Sequence, residues 1–570
     1  MAELLQAGLR LHQSGRAEEA AGHYQRVLAA EPRNPAANHL LGLVHLQRGR
    51  HDLAVDHIAR AVAARPDDAQ YLCNLGVALN GAGRPEEAVP AFQRALAANP
   101  GFAEAYSNLG MAYRALSRFD EAVGAYRQAV ALKPAEAGFH YNLGNVLGEA
   151  GFIVEAEAAY REALRLRPGY APAVNALAGQ LYDRGRPAEG LQLVDAALAL
   201  APNDAVLHMR RGRLLEQLGR LEDAVGAYGR SLALRPGFGE AHQHRAHLRR
   251  HAHRDADVDA MQALFSDADA PLDDRVFAGF GLGKALTDLG EHEAAVDTYL
   301  AVNRLHRERI VFSLDQARAE LRADVERFAG LELSRPGVGH AGAAPIFVVG
   351  LPRSGKSTLE AILARHPDVA PAGELPTLSR LFTQLMRQHG EVRAIPTSAY
   401  EAVGRAYMEE AGRSVPQGRI VVDTMPSNYR HIGLIRAALP DARIVWCRRA
   451  PAAHCVAILE KYLTGRGYEY AFDLDELVAY HAAYRDAAVA WRSVAGDAIL
   501  ELDLADLRAD PDARLREVAD FCGLSWEGAV SVDLETEPQL GGWSAERLAR
   551  NRSGQMAAWY RAAPWLAALA

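Results

Sequence analysis

The chain is poor in cysteine and as poor in lysine. Four cysteines, Cys73, Cys447, Cys455 and Cys522, are scattered over 570 residues with no C-x-x-C pair, which excludes a disulfide framework and a cysteine-rich metal site. Their scarcity leads to the expectation of a reducing, cytoplasmic compartment. No run approaches the ~20 continuous apolar residues of a membrane span. Met1 to Gln13 carries Glu3 and an amphipathic pattern in place of a charged leader with an apolar stretch, so neither export nor membrane insertion is expected. A basic excess is missing as well: the net charge is −8 with no dominant basic patch, which argues against nucleic acid as a partner. The only lysines are Lys133, Lys284, Lys356 and Lys461, against 63 basic residues in all. A lysine in so arginine-biased a chain marks a place for a compact point charge.

What is abundant is repetition. Pro32, Pro66, Pro100, Pro134, Pro168, Pro202 and Pro236 recur every 34 residues. Gly8, Gly42, Gly76, Gly110, Gly144 and Gly212 hold a second phase, with Ala178 in the sixth unit, and Ala20, Ala54, Ala88, Ala122, Ala156 and Ala224 a third. A bulky phase follows at Tyr24, Ile58, Phe92, Tyr126, Tyr160, Val194 and Tyr228. This is the tetratricopeptide pattern of two-helix hairpins, in which small residues permit close helix approach, a large one fills the gap, and proline ends the second helix. The concave face of such a solenoid is a groove for a peptide or protein segment.

After Pro236 the phase is lost through Gly237 to Arg254, and Asp267 to Asp274 reads as an acidic loop that lacks the central glycine and terminal glutamate of a calcium site. His242, His244, His247, His251 and His253 crowd together without a cysteine or carboxylate to complete a ligand set, so no metal is expected. Hairpin pattern returns at Phe280 to Leu286 and Glu293 to Tyr299, and Leu314 to Phe328 reads as a further helix. Gly330 to Ala343, rich in glycine and proline, reads as the boundary. The expected organisation is a repeat solenoid over 1–306, with regular repeats to 238 and capping helices over 239–306, then a helical linker over 307–342, then an α/β domain over 343–570.

In that last stretch strand and helix patterns alternate, which predicts a parallel sheet with ligands at the carboxyl ends of its strands. The apolar run Ile346 to Val349 is followed by Gly350-Leu351-Pro352-Arg353-Ser354-Gly355-Lys356-Ser357 and then by a helical pattern. The segment satisfies G-x-x-x-x-G-K-[ST]. Its glycines let the backbone approach an anion, and the helix dipole favours negative charge there. A second strand, Gly418 to Asp423, ends in Thr424-Met425-Pro426. A third, Ala442 to Cys447, ends in Arg448-Arg449, a pair suited to a second phosphate.

The loop also resembles the P-[KR]-S-G-T-[ST] loop of sulfotransferases. With His366-Pro367-Asp368-Val369, Gly373-Glu374-Leu375-Pro376, Asp423-Thr424-Met425-Pro426, Cys447-Arg448-Arg449 and Asp520-Phe521-Cys522-Gly523-Leu524 in one order, the chain resembles the bacterial tetratricopeptide-repeat sulfotransferases, relatives of the tyrosylprotein sulfotransferases. The resemblance implies a P-loop-like α/β domain that uses 3′-phosphoadenosine-5′-phosphosulfate and needs no metal for the transfer. By position, Arg353, Ser354, Gly355, Lys356, Ser357 and Thr358 would cradle the 5′-phosphate and the departing sulfuryl group, and Arg449, with Arg448 beside it, would hold the 3′-phosphate. Arg552 and Gly554, in an element similar to R-K-G-x-x-G-D-W, are further 3′-phosphate candidates. Glu374 is the implied general base, and Arg353 would stabilise charge on the bridging oxygen of the leaving group.

The departures are specific. The family usually has Thr where Lys356 stands, Lys where Thr424 stands, Asp at Ala450 and a phosphate-binding Ser at Ala457. Lys356 is then expected to supply from the loop the ammonium that Thr424 lacks. Two other readings stay open at this point: a magnesium-dependent kinase or NTPase with Ser357 and Asp423 on the metal, and a scaffold whose repeats bind a protein.

Overall fold

The computed structural model describes residues 1–331, 333, 344–413, 415–416, 418–463, 465, 467–525 and 555–569. The chain falls into two compact units, Met1–Pro202 and Asn203–Ala570. Nineteen helices run from Ala2–Gln13 to Leu314–Glu326 among the described residues. The small and bulky phases of the sequence meet one another inside each hairpin. A Cβ added at Gly42, Gly76, Gly110 or Gly144 would lie 2.4–2.8 Å from the side chain of Ile58, Phe92, Tyr126 or Tyr160 respectively. A side chain at those glycines would push the two helices apart.

The second unit begins with the seventh hairpin, Ala205–Gln217 and Leu221–Leu234. Where the repeat phase lapses, helices nevertheless form over Gly239–Leu248 and Ala256–Ser266. The 34-residue spacing is lost there, but the helices keep apolar faces, with Ala246, Val258 and Met261 buried. The hairpin Leu272–Leu289 and His292–Arg307 restores the repeat contact: a Cβ on Gly283 would sit 2.7 Å from the Tyr299 ring. Asn303 of this hairpin donates from Nδ2 to Leu459 O at 2.8 Å.

The α/β part holds five parallel strands, β1 (Ile346–Val349), β2 (Val369–Gly373), β3 (Ile420–Asp423), β4 (Arg443–Arg448) and β5 (Ile499–Asp503), in the order β2-β3-β1-β4-β5. β1 is central and wholly buried, as a strand covered on both faces must be. One continuous core joins Phe280, Tyr299 and Phe328 of the helical part to Phe347, Trp446, Trp491 and Trp559. Gly433 lies directly under Phe328, where an added Cβ would come within 2.2 Å of the ring. Gly433→Ala is expected to destabilise the second unit by about 1–3 kcal/mol, read as a lower denaturation midpoint for that unit in the full chain.

Candidate functional site

Parallel strands bring their carboxyl ends to one edge. Gly350 follows β1, Glu374 follows β2, Thr424 follows β3 and Arg449 follows β4. The loop after β1 is shaped by three residues at positive φ, Gly350 (153°), Arg353 (68°) and Gly355 (103°). For Arg353, which carries a Cβ, the left-handed region costs about 1–3 kcal/mol and is held by its surroundings. A Cβ at Gly350 would meet Ser354 Oγ at 2.6 Å and Cys447 O at 2.9 Å, so the turn closes tightly only with glycine there. Gly355 caps the helix Lys356–Leu363, whose first turn carries exposed Ser357 and half-buried Thr358. Ser354 is 1% exposed and its Oγ has no hydrogen-bond partner.

Lys356 is buried and its Nζ donates to Gly350 O (3.0 Å) and Leu351 O (3.3 Å). Burial lowers its pKa to about 8, with Glu374, Cys447 and Glu360 opposing the shift. Glu374 is raised above the ordinary carboxylate value by desolvation, against the pull of the Lys356 charge. Glu360, which sequence reasoning did not single out, ties the edge together: Oε1 accepts from Gly373 N (3.1 Å) and Oε2 from Thr424 Oγ1 (3.4 Å). Its carboxyl is raised as well, first by burial. Where Thr424 stands a hydroxyl therefore bonds an acid, and the ammonium interacting with both Glu360 and Glu374 is that of Lys356.

The two arginines after β4 part company. Arg449 Nη1 donates to Arg353 O at 3.3 Å and lines a cleft of about 210 Å³ with Arg353, Ala457, Glu460, Asp503, Arg508 and Gln555. Arg448 pairs with Glu501 of β5, which Arg492 also reaches at 3.2 Å. Arg448 lines a neighbouring cleft, which Arg449 also borders. Arg552 and Gly554 lie outside the described residues. The next residue, Gln555, lines the first cleft and donates to Glu460 Oε1 at 2.7 Å, alongside Trp559 Nε1 at 2.8 Å.

Asp423 is fully buried. It accepts from Met425 N (2.8 Å) and Tyr407 OH (2.9 Å), and burial lifts its pKa to about 7. Such an acid braces the turn after β3 and does not face solvent. Among the described residues no three His, Cys, Asp or Glu side chains converge as metal ligands, and no helix is long and apolar enough to cross a membrane.

Residues 345–528 match the sulfotransferase family model, and five stretches between residues 5 and 237 match the tetratricopeptide repeat. The chain joins tetratricopeptide repeats to a sulfotransferase-family domain. An uncharacterized protein of Aquifex aeolicus (strain VF5) is 27% identical over 297 residues, 50% of this chain and 39% of its own length. Protein-tyrosine sulfotransferase 1 of Danio rerio is 24% identical over 243 residues, 39% of this chain and 65% of its own. The chain thus spans less than two thirds of either relative. A thermophilic tetratricopeptide-repeat protein of Thermus thermophilus is a similar solved structure, at 26% identity and a TM-score of 0.27 over 32% of this chain and 98% of that one. In the sulfotransferase-family domain the glycine-rich turn, the orphaned Ser354 hydroxyl and the cationic cleft fit a nucleotide with phosphates at two positions.

Proposed function

We propose that the chain moves a sulfuryl group from 3′-phosphoadenosine-5′-phosphosulfate to a hydroxyl, with a tyrosine of a protein as the acceptor. The observation that carries this reading is the meeting of an anion loop with a carboxylate of raised pKa at one sheet edge, Lys356 and Glu374. Glu374 takes the proton of the acceptor hydroxyl as its oxygen bonds to sulfur and the bridging oxygen–sulfur bond breaks. Arg353, Lys356 and the loop N–H groups receive the charge that develops on the leaving phosphate. Arg449, in the adjoining cleft with Gln555, binds the 3′-phosphate, and Arg552 and Gly554 are further candidates for that phosphate from the sequence. Tetratricopeptide repeats typically bind peptides or proteins, and the array's groove is the matching place for the acceptor protein. Tyrosine as acceptor is supported by the name of the Danio rerio relative.

The sealed position of Asp423 speaks against the kinase or NTPase reading, which needs that acid on a metal. Calorimetric titration separates the two. Adenosine 3′,5′-bisphosphate is expected to bind without magnesium at least about tenfold more tightly than ATP, since a second phosphate contact contributes about 1.5–3 kcal/mol. Tighter binding of ATP, dependent on magnesium, would overturn sulfotransfer.

A further inference from the structure

Two buried histidines beneath the loop take no part in the reaction just described. His454 lies on the helix Pro451–Leu459, and His481 on the helix Leu474–Ala495. They are 1% and 4% exposed. His454 Nε2 is 2.8 Å from Pro352 O, and His454 Nδ1 is 3.1 Å from His481 Nε2. A carbonyl only accepts, so the proton of neutral His454 is on Nε2. Its Nδ1 is then a lone pair, and His481 Nε2 must be the donor. One tautomer is thereby fixed in each ring. Both rings stay neutral near pH 7: burial comes first, and the charges of Arg449, Lys356 and Arg485 add to it.

The position of the accepted carbonyl matters. Pro352 C=O belongs to the peptide plane before Arg353, and Arg353 C=O to the plane after it. The orientations of these two planes are the φ and ψ of Arg353, the one non-glycine residue of the loop at positive φ among the described residues. His454 holds the first plane and Arg449 Nη1 the second. The strained residue is gripped on both sides.

We propose that His454, aligned by His481, is a positioning residue that keeps the anion loop in its nucleotide-binding form. Neither ring touches the reacting atoms. Without the His454 bond the first plane turns freely, Arg353 relaxes to negative φ, and the N–H groups of the loop no longer converge. The inference rests on the sulfotransfer reading for the identity of the ligand and not for the grip itself.

The test uses the full chain and three variants, H454A, H454Q and H481F. Glutamine places an N–H₂ near the position of the histidine Nε2, and phenylalanine keeps the ring of residue 481 without its donor. H454A is expected to weaken adenosine 3′,5′-bisphosphate binding about tenfold and to raise the donor KM with a smaller change in kcat. H454Q should recover most of that loss, and H481F should fall between them. Wild-type affinity in H454A would overturn the proposal, as would H454Q binding no better than H454A. Failure of the sulfotransfer reading shows elsewhere, in wild-type protein preferring ATP. The same variants titrated with ATP then still report on the grip, by the same two outcomes.

Discussion

Glu374→Gln is expected to lower turnover by about 10²–10⁴-fold while affinity for adenosine 3′,5′-bisphosphate stays at the wild-type value. Glutamine keeps the size of the side chain and removes its basicity. The residue stands at the end of β2, outside the loop, and the turn itself is held by His454, Arg449 and Lys356. The pH profile carries the same information with a sign. Desolvation raises the Glu374 carboxyl, so the acid limb of kcat/KM lies above the ordinary carboxylate range, and rate grows as pH rises through it. In the variant that limb should vanish. Full turnover in Glu374→Gln would remove this side chain from the chemistry.

Lys356→Met is expected to reduce kcat/KM by about 10²–10³-fold, the usual loss when one donor to a developing oxyanion is removed. In the free enzyme the ammonium titrates at about 8, and kcat/KM reports the free enzyme. An alkaline limb near that pH is therefore expected in the wild type and absent in the variant. Stability moves the other way. Because the folded pKa lies below the ordinary 10.5, the unfolded chain binds more protons between these values, and folding gains stability as pH rises from about 8. Burying the ammonium is a cost at neutral pH, so Lys356→Met should be no less stable than the parent in thermal melts. A variant that loses stability and keeps its activity would leave Lys356 as a brace for the Gly350 and Leu351 carbonyls and nothing more.

The periodic and local parts of this molecule are legible without coordinates. A 34-residue recurrence of proline, glycine and aromatic residues has one economical solution, and Gly42 against Ile58 or Gly76 against Phe92 is that solution in atoms. The turn after β1 is equally local, since its glycines and the flanking strand and helix all lie between Ile346 and Leu363. The strands β2 and β5 are not legible in the sequence, being short segments whose pairing comes from distant neighbours. Glu360 escaped for the same reason, because its partners are 13 and 64 residues away. His454 meets Pro352 across 102 residues and His481 across 27. The adjacent Arg448 and Arg449 look alike in sequence, yet successive side chains at a strand end diverge. One bonds an acid of β5 and the other the loop.

The place where the chain divides also bears on how such chains arise. Shuffling of gene segments would be expected to respect the point where repeats stop and the sulfotransferase-family domain begins, near residue 343. The core tells otherwise, for Phe280, Tyr299 and Phe328 share it with Phe347 and Trp491. A crossover near Pro202 exchanges one stack of hairpins for another and leaves a complete core behind. A crossover at 343 would strand half of it. The seventh repeat and the helices that follow therefore belong to the same compact unit as the sulfotransferase-family domain, and the first six hairpins form the other.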